Sequence, residues 1–304
     1  MNLAEEIKKL KEKENAVILA HNYQRPEIQD IADFIGDSLD LAIKSNETDA
    51  KYILFAGVDF MTEGAAMMNP KKVVLSPDIN SRCPMAAMLP AEKVRAAKKE
   101  HPDAEVVLYI NTLAEAKAEA DVICTSANCL QVINSLDSHT VLFGPDKNLA
   151  YYAAKRTGKK IVHIPEDGHC VVHHHLISMD DIEFLKKEHP NAVLIVHPEC
   201  EPAIQEIADY ITSTNGMVKK VRELPDKEFI IGTEEGICYR LKKENPKKEF
   251  YPVKFAVCRQ MKLHTLEKMY ETLKNKKPVV TVDKKIATKA KKALERMFEV
   301  TGRD

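Results

Sequence analysis

The sequence lacks any hydrophobic run close to the ~20 residues that a membrane-spanning helix needs. It also lacks an excess of charge, because 45 lysines and arginines face 46 aspartates and glutamates, which leaves a formal net charge of −1. Neither membrane nor nucleic acid is therefore an expected partner. Residues 1–13 show a charged helical pattern without the apolar stretch of a signal peptide, so the cytoplasm is the expected location.

Two further absences concern flexibility and cysteine chemistry. No low-complexity segment or long linker divides the chain into parts that would move independently. The chain has 7 cysteines, but no pair of them has the C-x-x-C spacing of ferredoxin clusters. Without signs of secretion, these cysteines are expected to be reduced thiols or metal ligands and not disulfides.

What the sequence does contain is an internal repeat. Cys83, Cys170 and Cys258 each follow a strand-like apolar run, and they lie 87 and 88 residues apart. This spacing alone proves little, because seven cysteines form about 35 triples. Four other sets keep the same phase: His21, Tyr109 and His197; Tyr23, Asn111 and Glu199; Ser38, Ser126 and Thr214; and Gly57, Gly144 and Gly232. Five sets in one phase predict an internal triplication.

The repeat predicts an α/β fold of three αβα units, related by a pseudo-threefold axis around a central site. The first unit comprises residues 1–85 with the closing segment 261–304, the second residues 86–173, and the third residues 174–260. Strand-like runs alternate with short helical patterns in each unit, which favours a small parallel sheet with helices on both faces. Units of ~85 residues bury a modest fraction of their surface, so they are expected to pack on one another.

Local patterns predict several helices outside or between the repeated strands. An amphipathic helix is expected over residues 1–14, and another from Pro26 through Ile35. Two helices near the C-terminus, over 262–274 and 284–298, belong to no repeat. We expect both of them to pack with the N-terminal helix on the first unit.

The repeated residues are expected to meet in one cavity. Ligands collect beyond the carboxyl ends of the strands in parallel sheets, and each repeated set lies at such an end or at the helix start beside it. Ser38, Ser126 and Thr214 are predicted to act as hydroxyl caps of three helices that point into this cavity. Free N–H groups and the dipole at helix starts bind carboxylate or phosphate. The cavity is thus predicted to bind a small ligand with several negative charges.

Three convergent thiolates indicate a metal centre, and their spacing leaves the kind of metal open. A zinc ion would take a fourth protein ligand, for which the candidates are His169, His173, His174 and His175. An iron–sulfur cluster held by only three cysteines would instead leave one iron open to substrate as a Lewis acid. The remaining cysteines do not recur between units and are interpreted as small buried hydrophobes: Cys124, Cys129, Cys200 and Cys238.

Three motifs add a resemblance to a known family. Cys83-Pro84-Met85-Ala86, His197-Pro198-Glu199-Cys200 and Thr212-Ser213-Thr214, together with the tripled strand ends, resemble the A-type quinolinate synthases of NAD biosynthesis over nearly the whole chain. The resemblance implies a 4Fe–4S cluster as cofactor on Cys83, Cys170 and Cys258. Many members carry C-x-x-C-x-x-C near the C-terminus, whereas this chain has only Cys258-Arg259-Gln260-Met261, which makes the third ligand unambiguous and excludes a regulatory disulfide there.

The resemblance also implies a reaction. Iminoaspartate condenses with dihydroxyacetone phosphate, and quinolinate forms with loss of phosphate and two waters. Two carboxylates and one phosphate on the substrates match the three expected helix starts. The enzyme that produces the unstable iminoaspartate would be a transient partner.

In this reaction Glu199 is placed to act as general base, and Tyr23 to move protons or to activate a hydroxyl. His21 and His197 would bind carboxylate or relay protons. The other residues predicted to bind substrate are Ser38, Tyr109, Ile110, Asn111, Ser126, His173, Pro198, Ser213 and Thr214. His173 enters this set because it lies three residues after Cys170.

Two other functions remain open on the residues alone. A zinc-dependent hydrolase would use the same three thiols, and metal analysis of anaerobically purified protein would distinguish it. A cluster-based sensor without catalysis would need a partner surface, for which the basic helix over 284–296 is the only candidate. A solvated face is the simpler explanation of that helix.

Overall fold

The computed structural model describes residues 2–302. The predicted helix start at Met1 and the last two residues of the predicted segment 261–304 lie outside the described residues. Within residues 2–302, twelve strands form three separate four-stranded sheets. No helix in this part of the chain is both long and apolar enough to cross a membrane.

The three sheets are built from successive stretches of the chain. The first stretch comprises α1 (Leu3–Glu14), β1 (Ala16–His21), α2 (Pro26–Ile31), β2 (Phe34–Gly36), α3 (Ser38–Glu47), β3 (Tyr52–Ala56), α4 (Asp59–Met68) and β4 (Val73–Leu75). The second comprises α5 (Pro84–Met88), α6 (Ala91–Glu100), β5 (Glu105–Tyr109), α7 (Ala114–Lys117), β6 (Val122–Cys124), α8 (Cys129–Asn134), β7 (Thr140–Gly144), α9 (Lys147–Ala154) and β8 (Lys160–His163).

The third stretch repeats this order and is followed by the C-terminal helices. It comprises α10 (Val171–His175), α11 (Met179–Glu188), β9 (Val193–Val196), α12 (Pro202–Ile207), β10 (Tyr210–Ile211), α13 (Thr214–Glu223), β11 (Glu228–Gly232), α14 (Ile237–Glu244) and β12 (Glu249–Pro252). A short 3₁₀ helix (Met261–Leu263), α15 (Leu266–Asn275) and α16 (Lys284–Thr301) complete the described chain.

All three sheets have the same strand order. The orders are β2-β1-β3-β4, β6-β5-β7-β8 and β10-β9-β11-β12, and the strands within each sheet pair in parallel. Helices lie between successive strands, as parallel connections require. The predicted fold class, three αβα units with small parallel sheets, is therefore confirmed.

A carboxylate contact recurs where an edge strand of each sheet begins. An aspartate just before the edge strand accepts the N–H of a residue in the first strand, at 2.7–2.8 Å: Asp33 from Ile18, Asp121 from Val106 and Asp209 from Leu194. The N–H of each aspartate donates back to the carbonyl of the same strand residue. These reciprocal pairs fix the register of two neighbouring strands at the same point in all three sheets.

Alternating side chains of the strands divide the core. In the first sheet, Val17 and Leu19 belong to the large central cluster, which draws on all three units, whereas Ile18 and Ala20 face a smaller cluster under α1 and α15. The third sheet divides in the same way, with Ile195 and Ile231 central and Leu194 and Ile230 peripheral. One face of these sheets thus packs toward the neighbouring units, as expected for small units that cannot bury enough surface alone.

Several local predictions were wrong. The helix predicted from Pro26 through Ile35 ends at Ile31, and Phe34–Gly36 forms the edge strand β2. β10 was also not predicted. β2 and β10 have only three and two residues, and strands this short show no alternating pattern. The helices α6 and α11, which lie immediately before β5 and β9, were also overlooked and occupy the place that α1 has before β1.

The two C-terminal helices do not share one location. α15 packs against α1, as predicted. α16 instead packs on β6, α7 and α8 of the second sheet as well as on α4. Arg296 donates to Glu105 at 3.0 Å, and Gln131 donates to the carbonyl of Val300. The expectation that α16 packs with the N-terminal helix is therefore wrong, while the unit boundaries at residues 85, 173 and 260 stay a prediction.

Candidate active site

One cavity lies where the carboxyl ends of the three sheets meet, and we call it the central cavity. Its empty volume is about 790 Å³ when the space at its open mouth is counted, within the range of small-molecule sites. Its lining includes thirteen of the sixteen residues predicted for the site: His21, Tyr23, Ser38, Cys83, Tyr109, Asn111, Ser126, Cys170, His173, His197, Glu199, Thr214 and Cys258. The strand ends and the three cysteines are therefore brought together as the repeat predicts.

The other three predicted residues do not line this cavity. Ile110 lines a separate apolar pocket between α3, α4 and α16. Pro198 contributes its carbonyl to a hydrogen bond with Gln205 at 2.8 Å. Ser213 caps α13 by accepting the N–H of Gly216, and its hydroxyl donates to Asp37. These three residues support the cavity wall and do not face its interior.

The residues predicted to cap the helices with their hydroxyls are not the residues that cap them in the structure. Asp37, not Ser38, caps α3, because its carboxylate accepts the N–H groups of Leu39 and Asp40. Ser213, not Thr214, caps α13, so Ser38 and Thr214 are the first residues inside their helices. Because the first helical residue still faces the cavity, the helix starts are at the cavity even though the capping atoms are different.

Ser126 differs from both, because it lies before the helix that it was expected to open. α8 begins only at Cys129, and the turn before it is held by Asn128, whose Oδ1 accepts from Thr125 N at 2.6 Å. The hydroxyl of Ser126 contacts His197 Nε2 at 3.1 Å. Ser126 is thus positioned against an imidazole of another unit, and it caps no helix.

Two of the strand ends adopt the same turn. The N–H of Tyr23 donates to His21 Nδ1 at 3.2 Å, and the N–H of Glu199 donates to His197 Nδ1 at 3.3 Å. In both turns Nδ1 is an acceptor, so the imidazole proton resides on Nε2. Both rings are buried, and burial lowers the pKa of His21 and of His197 to about 3. Each ring is therefore a neutral donor through Nε2 at neutral pH.

Glu199 is the main buried acid of the cavity. Its Oε2 lies 2.7 Å from His173 Nδ1 and 3.6 Å from His197 Nδ1. Burial raises the pKa of this carboxyl, but the interaction with His173, the largest of the opposing effects, outweighs it and lowers the pKa of Glu199 to about 2. The second oxygen, Oε1, is buried without a hydrogen-bond partner. Glu199 is thus an ionised carboxylate with one oxygen free to accept a proton or a ligand hydrogen.

Tyr23 has the opposite electrostatic setting. Its hydroxyl contacts Thr233 Oγ1 at 2.6 Å and His173 Nε2 at 3.4 Å. Burial and the Glu199 charge raise its pKa well above 10. The same two causes raise the pKa of Tyr109. Both phenols therefore stay protonated across the physiological range and can donate hydrogen bonds into the cavity.

Asn111 is a second polar group without a protein partner. Its Oδ1 is buried and accepts no hydrogen bond from the residues that the structure describes. A buried acceptor left unpaired costs about 1–3 kcal/mol. Because Asn111 and Glu199 both line the central cavity, their free oxygens indicate where a bound ligand would supply donors.

The three cysteine thiols occupy a common part of the cavity wall. Each follows the last strand of its sheet, and all three are free thiols. Burial raises the pKa of Cys83 and Cys170, and it raises the pKa of Cys258 to about 11. Thiolates at these positions would need a positive charge beside them, which a metal centre supplies.

The distances between possible metal-ligand atoms distinguish two sets of residues in this part of the cavity wall. Cys170, His173 and Glu199 have ligand atoms that all lie within 4.8 Å of one another, so they could hold a single ion. Within residues 2–302, the three cysteines together do not form such a close set. Two thiolates on one zinc ion lie at most ~4.6 Å apart, because each Zn–S bond is about 2.3 Å long. At least two of the three thiols are therefore farther apart than the two thiolates of one zinc ion.

The remaining candidate ligands lie elsewhere. His169, His174 and His175 form a partly exposed group next to Cys170, and none of them lines the central cavity. Cys124, Cys129 and Cys200 are buried, and Cys200 donates to the carbonyl of Gly232. The burial of these three cysteines agrees with the interpretation as buried hydrophobes, whereas Cys238 is only partly buried. Three of the four candidate histidines do not line the central cavity.

Some residues at the site were not found from the sequence. Thr233 bridges Tyr23 and His173 with its hydroxyl, and no repeated position singles it out. The backbone N–H groups of the three cysteines donate to Asp59, Asp146 and Glu234. The sequence contains a pattern that could have identified these three acids. Each of these acids stands two residues after a glycine of the repeat, in the same phase as the cysteines.

The fold and the cavity define a class of protein: three parallel αβα units that enclose one cavity at their sheet ends, with three free thiols in its lining. A family model described as "Quinolinate synthetase A protein" matches residues 5–299. The chain is 55% identical over 302 residues to a protein named quinolinate synthase from Pyrococcus horikoshii, covering 99% of this chain and 100% of that one. The chain belongs to the quinolinate synthetase A family.

Relatives from other organisms carry the same name. A quinolinate synthase from Methanothermobacter thermautotrophicus is 52% identical over 300 residues, covering 98% of both chains. One from Thermotoga maritima is 49% identical over 300 residues, covering 99% of this chain and 100% of the relative. The similarity therefore extends over all three units and both C-terminal helices, and not over one motif alone.

Proposed function

We propose that this protein is a quinolinate synthase that condenses iminoaspartate with dihydroxyacetone phosphate, with loss of phosphate and two waters. The observation that carries the proposal is the convergence of Cys83, Cys170 and Cys258 with Glu199 in one cavity. Membership of the family and the relatives' names support the same reaction. We further propose that the protein works in the cytoplasm and receives the unstable iminoaspartate by transient contact with the enzyme that makes it.

The donor set supports a 4Fe–4S cluster as the cofactor. Three thiols from three units line one wall, and their spacing is too wide for a single ion. When bound, such a cluster with three cysteine ligands supplies a Lewis acid at the iron that no cysteine holds. Cys83, Cys170 and Cys258 would hold it, while Cys124, Cys129, Cys200 and Cys238 would not.

Other residues of the cavity lining suit a dicarboxylate. His21 and His197 present neutral Nε2–H donors, and Tyr109 presents a phenol that stays protonated. Ser38 and Thr214 stand at the first positions of α3 and α13, where free N–H groups and the helix dipole favour anions. Iminoaspartate supplies two carboxylates and the second substrate a phosphate, so these donors match the charges of the substrates.

Glu199 and Tyr23 are proposed as the base and the acid. Glu199 is ionised and keeps one oxygen without a partner among residues 2–302, so this oxygen can accept a proton. Tyr23 keeps its proton, and Thr233 and His173 orient its hydroxyl. Glu199 can therefore remove a proton at carbon during condensation, and Tyr23 can protonate an oxygen that leaves as water.

Asn111, Ser126 and His173 are proposed to position the substrate. The free Oδ1 of Asn111 would accept from the imine or amine nitrogen, while Ser126 supports the ring of His197. His173 bonds to Glu199 with one nitrogen and to Thr233 with the other, so it fixes the base relative to the acid. Ile110, Pro198 and Ser213 would act indirectly, through the wall that they support.

The test is quinolinate formation by the anaerobically reconstituted protein. Iminoaspartate generated in the assay and dihydroxyacetone phosphate should give quinolinate, and omission of either should give none. The matched sample loaded only with zinc should be inactive, because a zinc ion on Cys170, His173 and Glu199 would occupy the base. Equal turnover by the zinc-loaded protein would contradict the proposed cofactor, and no turnover by the iron-loaded protein would contradict the function.

A further inference from the structure

The three cysteines that would bind the cluster are each tied to a carboxylate of their own unit. Cys83 N donates to Asp59 Oδ1 at 2.9 Å. Cys170 N donates to Asp146 Oδ2 at 2.9 Å, and Cys258 N donates to Glu234 Oε1 at 3.2 Å. In every case the acid stands 24 residues before the cysteine, on the loop after the third strand of the unit. We call Asp59, Asp146 and Glu234 the anchor carboxylates.

Each anchor carboxylate also binds its own loop. Asp59 accepts from Phe60 N at 2.9 Å, Asp146 from Leu149 N at 2.7 Å, and Glu234 from Gly236 N at 2.8 Å. The side chains of Asp146 and Glu234 are fully buried. Burial of a carboxylate is costly unless hydrogen bonds compensate it. An acid that accepts from two backbone N–H groups stands at all three equivalent places, at two of them at the cost of full burial. This recurrence indicates that the acids bridge two backbone segments.

A second set of buried side chains links these loops between units. Gln29 Nε2 donates to the carbonyl of Gly236 at 3.0 Å, Lys117 Nζ to that of Phe60 at 3.4 Å, and Gln205 Nε2 to that of Asn148 at 3.1 Å. The three donors lie 88 residues apart, and so do the three acceptors. We call Gln29, Lys117 and Gln205 the interunit donors.

These links close a ring around the central cavity. The first unit bonds to the third, the third to the second, and the second to the first. Each interunit donor also binds carbonyls of its own strand-end turn, such as that of Gln24, Thr112 or Cys200. One buried side chain thus joins the turn that carries the polar cavity residues to the neighbouring loop that carries an anchor carboxylate.

The second unit departs from the pattern, because a lysine replaces glutamine there. Lys117 is fully buried, and burial lowers its pKa to about 8. The carboxylates of Glu63 and Asp59 interact favourably with its charge. The position is therefore filled by a donor in all three units, and the charge of Lys117 is balanced by acids of the first unit.

We propose that Asp59, Asp146 and Glu234 are positioning residues that hold the three cysteine loops in place before the cluster arrives, with the ring of interunit donors as their frame. The inference rests on the proposed function in taking the three cysteines as the ligands. Ligands from three separate sheets have no short motif to set their spacing, so the supporting contacts must do so. Loss of one anchor should loosen one cysteine loop and leave the fold intact.

The direct test compares Asp146→Ala with Asp283→Ala. Asp283 caps α16 as Asp146 caps α9, but it binds no cysteine. Both variants should lose thermal stability in the metal-free protein, and Asp146→Ala should lose more, because Asp146 is fully buried and Asp283 is exposed. Hydrogen exchange over residues 164–172 should rise only in Asp146→Ala. In the reconstituted protein, transfer of iron to a ferrous chelator should be roughly two- to twelvefold faster than in the control, as expected for loss of one hydrogen bond from the backbone of Cys170.

Asp146→Asn sharpens this comparison, because it keeps an acceptor oxygen of the same shape without the charge. Its iron-release rate should lie between those of the wild type and Asp146→Ala. Equal exchange over 164–172 and equal iron release in Asp146→Ala and Asp283→Ala would overturn the proposal. If Asp146→Ala does not fold, Glu234→Gln provides the same comparison at Cys258, with exchange measured over 253–260.

The experiment separates this inference from the proposed function. If the wild-type protein binds no iron and sulfide, the proposed cofactor fails, whereas exchange in the metal-free protein still tests the anchors.

The ring is tested by Lys117→Met, which should speed iron release several-fold. Lys117→Gln combined with Glu63→Gln should restore a slow rate, because it recreates the neutral donor of the other two units. A fast rate in that double variant would overturn the role of the ring.

Discussion

The strand ends of the first and third units share one backbone turn but present different acids. In both, a buried imidazole accepts the N–H of the residue two positions on. That residue is Tyr23 in the first unit and Glu199 in the third. Burial raises the pKa of the Tyr23 phenol well above 10, whereas the neighbouring His173 outweighs burial and lowers the pKa of Glu199 to about 2. The same turn therefore places a protonated phenol in the first unit and an ionised carboxylate in the third.

In the second unit, the position equivalent to Tyr23 and Glu199 holds neither an acid nor a base. Its equivalent positions hold Tyr109 and Asn111, and the amide oxygen of Asn111 is buried without a partner. An amide neither gives nor takes a proton at neutral pH, so this unit offers binding only. The comparison teaches that the repeat fixes where three side chains meet, while single substitutions assign acid, base and binding roles to them.

The largest effect is expected where the base is removed. Glu199→Gln keeps the shape of the side chain but cannot accept a proton, so quinolinate formation should fall by about 10²–10⁴-fold. Iron content and the binding of a dicarboxylate, titrated against the cluster spectrum, should be unchanged. Glu201→Gln, the same substitution two residues on and outside the cavity lining, is the control. Near-normal turnover in Glu199→Gln would remove Glu199 from the mechanism, and loss of iron would make it a ligand.

A smaller loss is expected on the acid side of the comparison. Tyr23→Phe removes the hydroxyl that Thr233 and His173 orient, and kcat should fall by about 10²-fold, at the lower end of general acid effects. The affinity for a dicarboxylate should change little. Tyr52→Phe, at a tyrosine outside the cavity, should behave as wild type. If Tyr23→Phe raised KM and left kcat unchanged, the phenol would be a binding group and not an acid.

The two imidazoles should make the metal-free protein less stable in acid. The pKa of His21 is about 3 in the folded state and about 6.5 when unfolded, so the unfolded state binds the extra proton as pH falls below 6.5. Between pH 7 and 5 each buried histidine should therefore cost about 2 kcal/mol of unfolding free energy. In His21→Gln this pH-dependent difference should shrink by about that amount, as measured by denaturant unfolding at both pH values. An unchanged difference would show that His21 is protonated in the fold.

The smallest effect is expected at Ser126. Ser126→Ala removes the contact with His197 Nε2, which is worth about 0.5–1.5 kcal/mol, so KM should rise by roughly two- to twelvefold with kcat kept. Ser135→Ala, which removes a hydroxyl from the end of α8, should leave KM unchanged. A loss of iron in Ser126→Ala would assign this residue to folding of the cysteine wall.

The periodic part of the structure could be predicted, because a repeat reports on tertiary placement. Cys83, Cys170 and Cys258 are far apart in the chain, yet their common phase with His21 and His197 predicted one cavity, and the structure brings them together. The 88-residue period also gave the fold class. What it could not give is the direction of each side chain, so it did not show that Ile110, Pro198 and Ser213 lie outside the cavity lining.

The failures have local physical causes. A helix pattern over Pro26 to Ile35 was plausible, but Asp33 instead pairs with Ile18 in the neighbouring strand and leaves Phe34–Gly36 as a strand. The capping atoms were assigned to hydroxyls because Ser and Thr recur in phase, although Asp37 caps α3 through its carboxylate. Thr233 has no repeated counterpart at all, so only the folded cavity reveals that its hydroxyl joins Tyr23 to His173.

The central claim is that three cysteines from three units hold one cluster beside this acid–base pair. Iron and acid-labile sulfide, counted per chain after anaerobic reconstitution, test it most directly. We expect about four of each in the wild type and in Cys124→Ala. In Cys83→Ala, Cys170→Ala and Cys258→Ala, stable cluster binding should be lost. One metal ion per chain without sulfide in the wild type, or normal iron content in Cys170→Ala, would contradict the account.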